Sequence, residues 1–93
     1  MTFHAALSEY VEHIARVTEV LQGRAGPERE VTSTFDSDAW GQRWRVPLPG
    51  GSHFTLVVTK SAFEVHSPET LAARAQGMPL SPGGEMVLTD SNP

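Results

Sequence analysis

The stretch "WGQRWRVPLPGGSHFTLVV", residues 40–58, decides the fold. Trp40, Gln42, Trp44, Val46 and Leu48 alternate with Gly41, Arg43, Arg45 and Pro47. Residues two apart share a face of a strand, so this period places both tryptophans with Val46 and Leu48 and turns both arginines the other way. "PGG" then reverses the chain. A three-residue hairpin loop commonly closes with a left-handed residue, a position Gly51 suits. That loop opposes Val46 to Phe54 and Trp44 to Leu56, four apolar residues on one face. A two-residue loop would oppose Pro47 to Phe54 and mix the faces, so the first register is predicted.

The pattern extends in both directions. Upstream, in "EREVTSTFD", Val31, Ser33 and Phe35 alternate with Thr32, Thr34 and Asp36. That is a strand signal, strengthened by β-branched residues. "DSDA" reads as a loop opposing Phe35 to Trp40. Downstream, "KS" reads as a two-residue turn into a strand "AFEVHS", opposing Phe63 to Val58 and Val65 to Leu56. A four-stranded antiparallel meander is thus predicted, with Phe35, Trp40, Trp44, Val46, Phe54, Leu56, Val58, Phe63 and Val65 on its inner face.

Two helices flank it. Phe3, Leu7, Tyr10, Ile14, Val17 and Leu21 recur at spacings of four and three. They make one face of an amphipathic helix, capped by Thr2 and ended by Gly23. In "SPETLAARAQG", Ser67 is a predicted N-cap, Pro68 takes the first helical position and Gly77 closes the helix. The expected fold is α+β, α-β-β-β-β-α, with residues 1–77 as a single domain. Residues 78–93 read as a Pro/Gly/Ser-rich C-terminal tail whose Met86, Val87 and Leu88 can form an edge strand or docking patch. The two sheet edges admit a homodimer.

The chain has 93 residues and a formal net charge of −4. It therefore lacks the basic footprint of a sequence-independent phosphate-backbone binder. There is no cysteine. That excludes disulfides and thiolate metal sites and favours a cytoplasmic location. No apolar run approaches the ~20 residues that span a bilayer, and no secretory signal is expected. His4, His13, His53 and His66 do not repeat at metal-ligand spacing. Neither a nucleophile elbow nor a phosphate-cradling glycine loop occurs. No metal, no cofactor and no catalytic residue is expected. The order helix, strands, helix is similar to that of double-stranded RNA-binding domains. Those carry a lysine cluster at the start of the last helix, where Pro68, Glu69 and Thr70 stand here, so that function does not carry over.

What remains is surface. Arg43 and Arg45 are assigned to an outer sheet face with Val57, Glu64 and His66, and Glu9, Glu12 and Glu19 to an acidic face of the first helix. Arginine is enriched in protein interfaces. The predicted function is docking to a macromolecular partner, in the manner of small phage- or mobile-element-encoded inhibitors of bacterial defence complexes (anti-CRISPR-like). The alternatives are a dimeric protein resembling secretion chaperones and a nucleic-acid-associated domain using Arg43 and Arg45.

Overall fold

A computed structural model describes residues 8–91. The central hairpin forms as its alternation requires. Strand β2 (Gly41–Pro47) pairs antiparallel with β3 (His53–Thr59), setting Val46 opposite Phe54 and Trp44 opposite Leu56. These four side chains and Val58 are buried. The loop is a 3-10 turn, Pro49–Gly51, closed by the Leu48 amide donating to the Ser52 carbonyl at 2.8 Å. Gly50 and Gly51 both hold φ of 86°. This turn therefore uses both glycines for its left-handed residues.

Strand β1 (Thr32–Asp36) pairs with β2 two residues away from the predicted register, with Phe35 opposite Gln42 rather than Trp40. A shift of two keeps every side chain on its face, so Ser33 and Phe35 still point inward. Asp36 sets the shift. Its Oδ1 accepts the amides of Asp38 at 3.0 Å and Ala39 at 3.2 Å. An aspartate bonded to the backbone two residues on makes a turn of its own, and the chain reversal begins at Asp36 itself. The loop becomes Ser37–Trp40. Trp40 therefore leaves the strand and is 48% exposed, against its predicted place in the core.

The predicted fourth strand, Ala62–His66, is instead part of a helix, α2 (Lys60–Val65). Thr59 caps it, its hydroxyl accepting the Ala62 amide at 3.3 Å. Threonine is a favoured capping residue for this reason. Phe63 is buried while Val65 is 63% exposed. Helical geometry dictates this difference, because residues two apart point about 200° away from each other around the axis. Helix α3 (Pro68–Gly77) follows with the predicted Ser67 cap, the serine oxygen accepting the Thr70 amide at 3.1 Å. The fourth strand is β4 (Glu85–Leu88), from the segment read as a tail. It lies parallel to β3, with Leu56 opposite Met86 and Val58 opposite Leu88. A parallel neighbour needs a crossover, which α2 and α3 supply. The sheet order is β1-β2-β3-β4, and only β1, β2 and β3 form an antiparallel meander. The element order is therefore α-β-β-β-α-α-β, not the predicted α-β-β-β-β-α.

Helix α1 (Val11–Ala25) follows a 3-10 turn at Ser8–Tyr10. Its stripe buries Val17, Leu21 and Ala25, with Tyr10 and Ile14 packed at the core's margin. The predicted Thr2 cap and the residues Phe3 and Leu7 lie outside the described residues. The helix runs through Gly23 and ends at Gly26, whose φ is 93°. Gln22 makes the longer helix possible by organising the linker. Its amide donates to the carbonyls of Gly26 (2.9 Å) and Arg29 (2.7 Å), and its oxygen accepts the Val31 amide at 3.0 Å. Arg24 joins α1 to α3, donating to the Ala75 and Met78 carbonyls at 2.9 Å and 2.6 Å. These are orphan carbonyls at a helix C-terminus, where a cation is favoured. The helices share one side of the sheet, around the core that Trp44 centres.

The Trp44 indole N–H donates to the Thr18 hydroxyl at 2.8 Å, and that hydroxyl donates to the Ile14 carbonyl at 2.7 Å. Thr18→Val keeps the shape and orphans a buried donor. It should lower stability by about 1–3 kcal/mol, read as a lower urea midpoint at unchanged slope. Two glycines should respond oppositely to alanine. A Cβ on Gly23 meets nothing within 4 Å. Gly23→Ala should therefore stabilise by about 1 kcal/mol through helix propensity. A Cβ on Gly41 would collide with the Val58 carbonyl oxygen and sit 2.8 Å from the Thr59 Cα. Gly41→Ala should therefore cost about 1–3 kcal/mol. Thermal melts of the two variants check both signs.

Candidate functional site

Strand parity builds the uncovered sheet face. One row across it reads Thr32, Arg45, Thr55, Glu85, and the next reads Thr34, Arg43, Val57, Val87. Val57 is buried here, flanked by Arg43 and Val87. The two arginines differ. Arg43 grips Asp36 with two nitrogens, Nε at 2.9 Å and Nη2 at 2.7 Å from Oδ2. That hydrogen bond, helped by the Ala39 and Asp38 amides, holds the Asp36 carboxyl below its ordinary value of 3.8. Hydrogen bonds to the charged form favour that form. Arg43 is thereby committed to the β1–β2 turn, and Arg45 is the exposed arginine of this face that makes no ion pair among the described residues.

Glu64 and His66 do not join this face, because residues 60–65 are helical. Glu64 accepts from Lys60 Nζ at 2.6 Å, which raises the lysine's pKa. One ring nitrogen of His66 lies 3.1 Å from the Asp90 carbonyl, and the His66 carbonyl lies 3.0 Å from Nε2 of His13. The eight residues singled out from the sequence therefore occupy three places. Arg43, Arg45 and Val57 lie on the open sheet face. Glu9, Glu12, Glu64 and His66 lie where the start of α1 meets α2. Glu19 stands apart on the solvent side of α1, beside an open hollow of about 800 Å3 that Ala15, Gln22, Gly23 and Pro27 also line.

The second place carries more than the sequence indicated. Tyr10 stacks on Phe63 with centroids 5.4 Å apart, and Lys60 Nζ stands 6.0 Å from the Tyr10 ring centre. Burial, and then the charge of Glu9, push the Tyr10 phenol above its ordinary pKa. The Lys60 amide donates to the Trp40 carbonyl at 2.8 Å, and the Trp40 ring meets Phe35 edge-on at 5.3 Å. Val11 belongs to the same end. It follows Tyr10, which stacks on Phe63 of α2, and α2 begins at Lys60, bonded to Trp40. Val11 is 68% exposed, so it, Trp40 and Val65 place three of the chain's exposed large apolar side chains at one end of the molecule.

Trp40 is also strained. Its φ of 49° is left-handed. Side chains other than glycine, asparagine and aspartate are uncommon in that region. The Asp36 turn and the Lys60 hydrogen bond hold it there. Among the described residues, no three His, Asp or Glu side chains gather at metal-binding distance. No described helix is long and apolar enough to cross a membrane.

Asp36 offers a pH test. A carboxyl whose pKa is lowered by folding adds stability that is complete above its unfolded pKa and disappears as pH falls through the folded value. Asp36→Asn should lower the melting temperature at neutral pH. The gap to the parent protein should stay constant above about pH 5 and close as pH falls below the ordinary aspartate value of 3.8, since folding lowers the Asp36 pKa. A gap independent of pH would remove the Asp36–Arg43 pair from the fold's acid sensitivity.

The chain matches no protein-family model, no curated protein and no solved structure at a significant level, so its functional reading rests on the residues and geometry described above.

Proposed function

We propose that this chain is a non-catalytic docking domain that acts by binding another protein. The observation that carries the reading is Trp40, an exposed aromatic held in left-handed backbone. Strain of about 1–3 kcal/mol persists only where the surrounding structure enforces it, and such residues cluster at functional positions. Tryptophan is also among the residues that dominate interface energetics. Trp40 is 48% exposed, at the same end as Val11 and Val65. Exposed aromatic and aliphatic side chains gathered at one end of a molecule are a mark of binding surfaces. The narrower form of this reading is an inhibitor of a bacterial defence complex, encoded by a phage or mobile element. Small size and net negative charge support it. The nucleic-acid alternative is weakened by Arg43, whose guanidinium already serves Asp36.

A photo-crosslinking amino acid at position 40, compared with one at position 45, tests the proposal in the cells that make the protein. Irradiation should give one discrete heavier adduct from position 40, containing a second polypeptide identifiable by mass spectrometry. An absence of adducts at both positions would sink the docking reading.

A further inference from the structure

The formal charge of this molecule is unevenly distributed. The end that carries Trp40 holds seven carboxylates, Glu9, Glu12, Asp36, Asp38, Glu64, Glu69 and Asp90, against three bases, Arg16, Arg43 and Lys60. Ion pairs and hydrogen bonds gather these residues into several small sets, with Asp38 held to Asp36 through its amide and Glu9 beside Tyr10. Arg16 lies 3.9 Å from Glu12 and 3.5 Å from Glu69, Lys60 pairs with Glu64, Arg43 with Asp36, and His66 reaches the Asp90 backbone. The remaining charged residues, four acidic and four basic, cancel. The whole net charge of −4 therefore sits at the Trp40 end.

Local structure explains part of that excess. Glu12 and Glu69 lie in the first turns of α1 and α3. The helix dipole favours an anion there. The backbone N–H at Glu69 lowers its pKa, and Arg16 adds to the effect. Asp36 holds the turn. Glu9, Asp38 and Asp90 have no ion pair among the described residues. All three bases at this end are already engaged by carboxylates. The result is an exposed tryptophan within a field of uncompensated negative charge.

Resting on the docking reading above, we propose that this end is the binding surface for a basic polypeptide segment with an apolar anchor. The anchor, aromatic or aliphatic, covers Trp40, and lysines or arginines beside it face Glu9, Asp38 and Asp90. Charge complementarity selects this occupant over the others. A nucleic acid or an anionic membrane would meet like charge. A second copy docking end to end would oppose two such fields, and its other end is neutral and offers no compensating attraction. A basic segment gains steering from the field and affinity from burying the tryptophan.

The probe is a phage-displayed library of random twelve-residue peptides, selected on the full chain at ~0.15 M salt, where exposed charges more than about 8 Å apart are largely screened. Enriched peptides should carry lysine or arginine beside an aromatic or aliphatic residue. Trp40→Ser should weaken a synthetic winner at least about tenfold, as hot-spot truncations do. Trp40→Phe should retain most of the affinity. The double variant Asp38→Asn, Asp90→Asn should weaken binding about threefold and flatten its salt dependence, and Arg45→Ser on the open sheet face should change it less than about twofold. Melting curves show whether each variant is folded. Trp40→Asn, whose side chain tolerates positive φ, replaces the serine variant if that one unfolds. Binding lost with Arg45→Ser and kept with Trp40→Ser would overturn this surface while leaving a docking domain. Enrichment of acidic peptides would overturn the partner chemistry. No enrichment at all would remove both the inference and the docking reading.

Discussion

The burial of Trp44 is the constraint on which the rest of the structure depends. The ring fills the middle of the sheet's inner face, and an indole cannot be buried there unless its N–H finds an acceptor. Thr18 is that acceptor, and its own proton goes back to the Ile14 carbonyl. One hydrogen bond thus fixes both the height and the rotation of α1 over β2. With α1 placed, Arg24 reaches the end of α3, Gln22 reaches the start of β1, and Tyr10 reaches Phe63. The helical layer is positioned from the centre of the sheet outward.

Where the sequence was legible, two faces of different chemistry made it so. In β2 and β3 a slip of one residue would move Trp44, Val46, Phe54 and Leu56 into water, so the hairpin register could be read from alternation alone. The β1–β2 register was not readable in that way. Its two candidate pairings differ by two residues and bury the same face. Only the Asp36 side chain, bonded to the amides two and three positions on, separates them. "AFEVHS" misled for a related reason. Six residues are too few for a helical period to show against an accidental alternation of Phe63 and Val65. The available signal was Thr59, a capping residue directly before the helix.

The candidate site was legible only in part, and for the same physical cause. Glu9, Glu12 and Glu64 are exposed and His66 half-buried, but alternation puts Glu64 and His66 on a sheet face, whereas a helix carries Glu64 and ends at His66. Shared parity with Trp44 points Trp40 into the core, but parity loses its meaning one residue outside a strand, and Trp40 precedes β2. What makes Trp40 distinctive is its backbone conformation together with its exposure. Both follow from a turn whose closure depends on a carboxylate four residues earlier and on Lys60, twenty residues later.

The parallel strand at the sheet's edge has a consequence for how the chain reaches this structure. β1, β2 and β3 are joined by short reversals and close small loops. β4 meets β3 only after a long detour through two helices, with Val58 opposite Leu88. Closing a longer loop costs more entropy before any contact repays it, and nonlocal pairing slows folding. A four-residue ladder, the buried Leu88, Met86 against the core and the Thr59–Leu88 hydrogen bond hold β4 in place, and its pairing with β3 is the long-range step of the sheet. Loop-closure entropy thus favours the three-stranded region, with the Trp40 turn inside it, as the nucleus, and β4 as the later addition.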